Sequence, residues 1–151
     1  MSSGEKKIMG NLTDRGFELF SEIRDVERVV ELRDQIEAGR FGSAMMALAV
    51  DFVFGSIWTR SGLNRKERSL VTLGILIALR QTEEFKNHVQ IALRNGLSVG
   101  EIEETLIQAT AYAGFPAAYA ASNAAAEVLR DLEPLRTATR AANDPNACRS
   151  E

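Results

Sequence analysis

Apolar side chains recur at helical spacing along almost the whole chain, and the two-residue alternation of a half-buried strand is nearly absent. Phe17, Leu19, Phe20 and Ile23 mark the apolar side of a first helix that Thr13 or Asp14 is placed to cap. Val29, Val30, Leu32 and Ile36 do the same in the charged segment Val26 to Glu37, with Gly39 after it. Phe41 to Trp58 is a longer apolar stretch broken by Asp51 and Gly55. Ser61 to Asn64 is a turn, and Asn64 is a favourable N-cap. Between Arg65 and Arg80 the polar face disappears: Leu70 to Leu79 predicts a helix buried on every side, by a central position or by a partner subunit. Thr82 opens the next helix and Gly96 stops it. Ser98 and Glu101 have the spacing of a capping box. Gly114 is expected to close that helix in the left-handed conformation. Pro116 then opens an alanine-rich last helix that Pro134 ends near Leu132. The pattern predicts an all-α protein of six or seven helices, with a flexible arm over residues 1–10, one helical domain over 11–133 and a mobile tail over 134–151.

Charge and composition narrow the function classes. The 21 acidic and 18 basic side chains leave a net charge of −3, which offers no footprint for nucleic acid. Cys148 is the sole cysteine, so there is neither a disulfide framework nor a thiol pair. Met1 to Lys7 has no apolar core of a secretory signal, and Leu70 to Leu79 is too short to span a bilayer, so a cytoplasmic protein without membrane partners is expected. The alanines of Ala117 to Ala126 permit close helix approach but carry little area to bury. Burial shared with further copies, in a trimer or larger homo-oligomer, is therefore expected.

The single histidine lies on an apolar face. Phe85, His88, Val89, Ala92 and Leu93 follow the i, i+3, i+4, i+7, i+8 spacing, and Glu84 stands one turn before His88. A neighbouring carboxylate favours the charged imidazole and orients it, while burial opposes charging. A ring so placed suits a general acid or base, and it equally suits a structural histidine satisfied by one carboxylate. No second histidine or cysteine cluster is present to complete a metal site, and no G-x-S-x-G elbow is present for a serine triad. Arg60 and Arg68 flank the turn before the apolar helix, placed to bind an anion or to snorkel at its end. Tyr112 and Tyr119 bracket the Gly114–Pro116 break, where each either donates a hydrogen bond into a pocket or packs in the core. Trp58 reads most simply as core.

The stretch from Phe54 to Ala118 also carries a resemblance. Ile57-Trp58-Thr59-Arg60, Gly62-Leu63, Arg68-Ser69-Leu70, Glu84, His88, Asn95-Gly96, Glu101-Ile102 and Tyr112-x-Gly114-x-Pro116 stand in the order and spacing of the carboxymuconolactone decarboxylase family, closest to the γ-carboxymuconolactone decarboxylases proper. The resemblance covers Phe54 to Leu129. It implies an all-α fold like that of the alkyl hydroperoxidase D proteins, trimers or hexamers, a small-molecule substrate and no cofactor. The thiol-dependent branch uses C-x-x-C near the histidine. This chain has none, which excludes disulfide exchange. By resemblance the reaction is loss of carbon dioxide from an unsaturated lactone in aromatic-compound catabolism. His88 would move the proton, Glu84 would orient it, and Arg60 and Arg68 would recognise carboxylate. Trp58, Tyr112, Tyr119 and Asp51 complete the implied substrate-binding set.

The chain departs from that pattern at the substrate. Val50-Asp51 stands where the decarboxylases proper tend to have Thr-Arg, and Phe54 where they tend to have Trp. Tyr119 and Ser122-Asn123 stand where they tend to have Asn and then Phe-His. An anion in place of a cation predicts poor turnover of a doubly charged lactone. Two other functions fit the same residues: isomerisation or dehydration of an aromatic or polyketide-like molecule, and a non-catalytic oligomeric binding protein.

Overall fold

Every regular element of the computed structural model, which describes residues 3–142 and the side chains of residues 11–133, is helical. Seven α-helices follow in order among the described residues: α1 (Ser3–Ile23), α2 (Val26–Glu37), α3 (Ser43–Leu48), α4 (Arg65–Ala78), α5 (Thr82–Arg94), α6 (Val99–Ala113) and α7 (Phe115–Ala142). Between α3 and α4 lies a π-helical segment, Ala49–Ile57. The chain divides into two compact units. One is the chain up to Ser69 together with Arg94–Gly96, and the other is Leu70–Leu93 with the chain from Leu97 onward.

In the first unit α1 lies against the π-helical segment, and two glycines make the approach possible. A Cβ on Gly16 would overlap the backbone of Val50, and one on Gly55 would overlap the carbonyl oxygen of Leu12. Leu19, Ile23, Val50 and Trp58 are buried here, and Phe20 meets Phe54 edge to face at 5.1 Å. The π-helix ends on a bond from the Trp58 amide to the Val53 carbonyl at 2.9 Å, five residues back. Helix α1 starts well before the expected cap at Thr13 or Asp14. The Thr13 hydroxyl instead donates to Asp51 at 2.6 Å, tying α1 to the π-helical segment. Asn64 caps α4 as expected: its side chain accepts from the Glu67 amide at 3.0 Å, and Glu67 accepts from the Asn64 amide at 2.7 Å.

The second unit gathers one core from four helices. Leu73 and Ile77 of α4, Phe85, Val89 and Ala92 of α5, Ile102 and Leu106 of α6, and the alanines of α7 pack together. Truncating the fully buried Phe85 to alanine is expected to cost about 3–5 kcal/mol. Ser98 and Glu101 form both bonds of the capping box. Gly114 has the positive φ expected, 86°, but its ψ of 149° is extended, so the turn into α7 opens further than a left-handed cap. Pro116 lies in the first turn of α7. That helix passes Pro134 to reach Ala142, past the expected stop near Leu132. The strong helix formers on both sides outweigh one lost backbone bond.

The apolar run of α4 is not buried all round within the chain. Leu73 and Ile77 face the core, but Val71, Ile75 and Leu79 are 54%, 52% and 62% exposed. No helix of the described residues is long and apolar enough to cross a membrane. Cys148 and the end of the tail from 143 lie outside the described residues.

Candidate functional site

Helix α5 is amphipathic because its apolar positions repeat at helical spacing, and the structure buries the face that the spacing marks. Phe85, Val89 and Ala92 are 1%, 0% and 0% exposed. His88 sits beside them, half-buried, and Glu84 one turn earlier is exposed. The imidazole thus has apolar neighbours on one side and access to solvent on the other, the setting in which a ring can both be held and exchange a proton. Lys86 points elsewhere: it bonds Glu127 of α7 at 2.7 Å and Glu83 at 3.3 Å. Hydrogen bonds to those carboxylates raise the Lys86 ammonium above its ordinary value, and the Lys86 bond lowers Glu127.

The two tyrosines flank the α6–α7 joint, and neither is core. Tyr112 is 84% exposed and Tyr119 60% exposed, the latter stacked on Phe115 at 6.2 Å. Tyr112 lines an apolar groove of about 870 Å³ between the exposed face of α4 and α6, with Glu101 and Glu104 at its edge.

A smaller cleft of about 190 Å³ opens between α4, α5 and α7. Leu76, Ile77 and Phe85 form one wall and Ala117, Ala120 and Ala121 the other, while Arg80, Gln81 and Thr82 supply its polar rim. Arg80 has a φ of 56°, the one non-glycine with positive φ among the described residues. Apolar periodicity does not single out Arg80. The signal the sequence does leave is the short link from Ala78 to Thr82, which contains no glycine, so an ordinary residue has to take the left-handed position between two helices.

Asp51, Trp58, Arg60 and Arg68 belong to the first unit, whereas Glu84, His88, Tyr112 and Tyr119 belong to the second. Trp58 is buried and Asp51 holds Thr13. Arg68 donates to the Arg60 carbonyl at 2.8 Å, which fastens the turn before α4, and Arg60 itself is exposed. Two of the sequence signposts meet in the same unit, because the Asn95 side-chain Nδ2 donates to the buried Ser69 hydroxyl at 3.0 Å. Among the described residues no group of three His, Cys, Asp or Glu side chains is gathered as a metal site would require.

The 4-carboxymuconolactone decarboxylase of Acinetobacter baylyi is 41% identical over 81 residues, 54% of this chain and 60% of that relative. The nitrosuccinic acid decarboxylase of Metarhizium robertsii is 34% identical over 85 residues, 56% of this chain and 59% of that relative. The matched stretch is thus less than two thirds of either relative's length. The profile of the carboxymuconolactone decarboxylase family matches residues 27–127, which spans α2 to α7 and includes both Glu84 and His88, and the chain belongs to that family.

Proposed function

We propose that the protein is a cofactor-independent carboxy-lyase acting on a small unsaturated or nitro-substituted acid, with His88 moving the proton and Glu84 orienting its ring. One observation carries the reading: the only histidine of the chain stands half-buried on the inward face of α5, beside Phe85 and Val89. Both relatives are named as decarboxylases, which supports the reaction class. An unsaturated lactone or a nitro group can each take up the electron pair released when the bond to the carboxylate breaks, so such a substrate is its own electron sink. Carbon dioxide leaves, an enolate or nitronate remains, and the imidazolium of His88 returns one proton to carbon. Apolar neighbours help by keeping water from competing for that proton.

The same reading includes a cytoplasmic homo-oligomer, trimer or hexamer. The exposed Val71 and Ile75 of α4, Leu79 just past its end and the apolar groove beside Tyr112 support an assembly that covers them. It also includes weak activity on 4-carboxymuconolactone, because this chain has Asp51 where the decarboxylases proper tend to have a cation. Removing one charge-assisted contact typically costs about 2–5 kcal/mol, so at least ~10²-fold in catalytic efficiency is expected.

The test is released carbon dioxide, measured with the purified chain and a metal chelator on nitrosuccinic acid and on 4-carboxymuconolactone. The reading expects release, with the lactone well below an efficiency of about 10⁵ M⁻¹s⁻¹. Conversion of a substrate without gas release would favour isomerisation or dehydration. Efficiency at or above that value on the lactone would show that Asp51 does not act on the substrate.

A further inference from the structure

The cleft between α4, α5 and α7 has walls and a rim of different chemistry. Its volume of about 190 Å³ exceeds the roughly 150 Å³ that holds a benzene molecule in a protein interior. A six-membered ring with one small substituent therefore fits. The walls carry no hydrogen-bonding side chain, and the alanines of α7 leave the space that larger residues would fill. The body of a ligand must accordingly be apolar. The rim is polar and cationic: Arg80 is the one charged residue among those lining the cleft, with Gln81 and Thr82 beside it.

Arg80 is held at that rim by its backbone. Its amide donates to the Ile77 carbonyl at 3.1 Å and the Gln81 amide to the Leu76 carbonyl at 3.0 Å, the pair of bonds that closes a helix through a left-handed residue. None of the hydrogen bonds or ion pairs among the described residues engages the Arg80 guanidinium. A planar five-donor cation beside an apolar slot matches a carboxylate attached to a flat, apolar body.

We propose that this cleft binds a small carboxylic acid, with its apolar body against Leu76, Pro116 and Ala120 and its carboxylate on Arg80. The binding site stands on the cleft alone. That the acid is the substrate of the reaction at His88, one turn beyond Phe85 along α5, rests on the reading above. In that case Arg80 holds the carboxylate that stays. An ion pair to the departing carboxylate would be lost as carbon dioxide forms and would stabilise the ground state over the transition state.

Benzoate and its neutral counterpart benzamide are the probes, titrated into the full chain by calorimetry or NMR. Benzoate is expected to bind at least tenfold tighter than benzamide. Arg80→Gly should weaken benzoate at least tenfold and leave benzamide within about threefold, while the melting temperature stays level or rises, since glycine is free at this φ. Arg80→Gln supplies the same comparison should the glycine variant fail to fold. Equal affinity for the two probes, unchanged benzoate affinity in both variants, or no benzoate binding at tens of millimolar would each overturn the proposal and leave Arg80 as a stem covering apolar surface. His88→Ala should retain benzoate binding. Retained binding with retained turnover would remove the role of His88 and leave the carboxylate site standing.

Discussion

Helices α4 and α5 end on the same long hydrogen bond and fill the critical position differently. At the end of α5 the Leu97 amide reaches the Ala92 carbonyl at 2.9 Å, and Gly96 takes the positive φ of 90°. At the end of α4 the Gln81 amide reaches the Leu76 carbonyl, and Arg80 takes it at 56°. For an L-residue with a side chain the left-handed conformation costs roughly 1–2 kcal/mol, and glycine is free of that cost. One turn follows the rule of helix ends and the other tolerates strain where its side chain borders a cleft. The difference teaches that a residue chosen against local preference marks a place where something other than stability is served.

The comparison can be broken by exchanging the residues. Gly96→Arg is expected to destabilise by roughly 1–2 kcal/mol, read as a lower urea midpoint with an unchanged slope. A Cβ at Gly96 would meet Lys66 no closer than 3.8 Å, so the conformation and not crowding sets that cost. A midpoint that does not move would mean the turn relaxes, and the argument from φ would fail at Arg80 as well.

The legibility of these features in the sequence follows how local they are. Asn64 with Glu67, Ser98 with Glu101, and Gly96 are each decided within a few residues, and all three helix ends stand where the sequence puts them. The inward face of α5 was legible for the same reason, since Phe85, Val89 and Ala92 need only one helical period. The exposed face of α4 was not, because an apolar run does not say what covers it. The π-helical segment was not legible either: its close approach to α1 depends on Gly16 and Gly55, far apart in the chain, fitting against each other's helices. Tyr112 and Tyr119 lie outside the core, on the faces of α6 and α7 that point away from Ile102, Leu106 and the buried alanines, which the sequence break at Gly114 and Pro116 does not specify. The pairing of Thr13 with Asp51 is likewise long-range, and it gives Asp51 a structural duty that spacing alone does not suggest.

A smaller effect contrasts with both helix ends. Lys86, Glu83 and Glu127 join α5 to α7 at the surface, where ion pairs contribute little. Glu127 is held below its ordinary value of 4.5, so its contribution is present above that pH and is lost as pH falls through the lowered value. Lys86 is raised above 10.5, so its contribution is present below that pH and is lost as pH climbs past it. Between those limits the pair's contribution is level. Lys86→Met should therefore flatten the acid limb of a melting-temperature profile slightly and leave the neutral region nearly unchanged. A large drop at pH 7 would mean that the pair does more than a surface bridge.

The account centres on His88 as the group that returns a proton to carbon, and one measurement addresses it most directly. The rate of carbon dioxide release by His88→Ala is compared with that of the unchanged chain on the best substrate found, with helical content and assembly checked on the same samples. General acid–base catalysis typically contributes 10²–10⁴-fold, so a loss of at least about 10²-fold in kcat with fold and assembly intact is predicted. A folded, assembled variant whose kcat stays within about tenfold would contradict the account and make His88 a structural residue of α5.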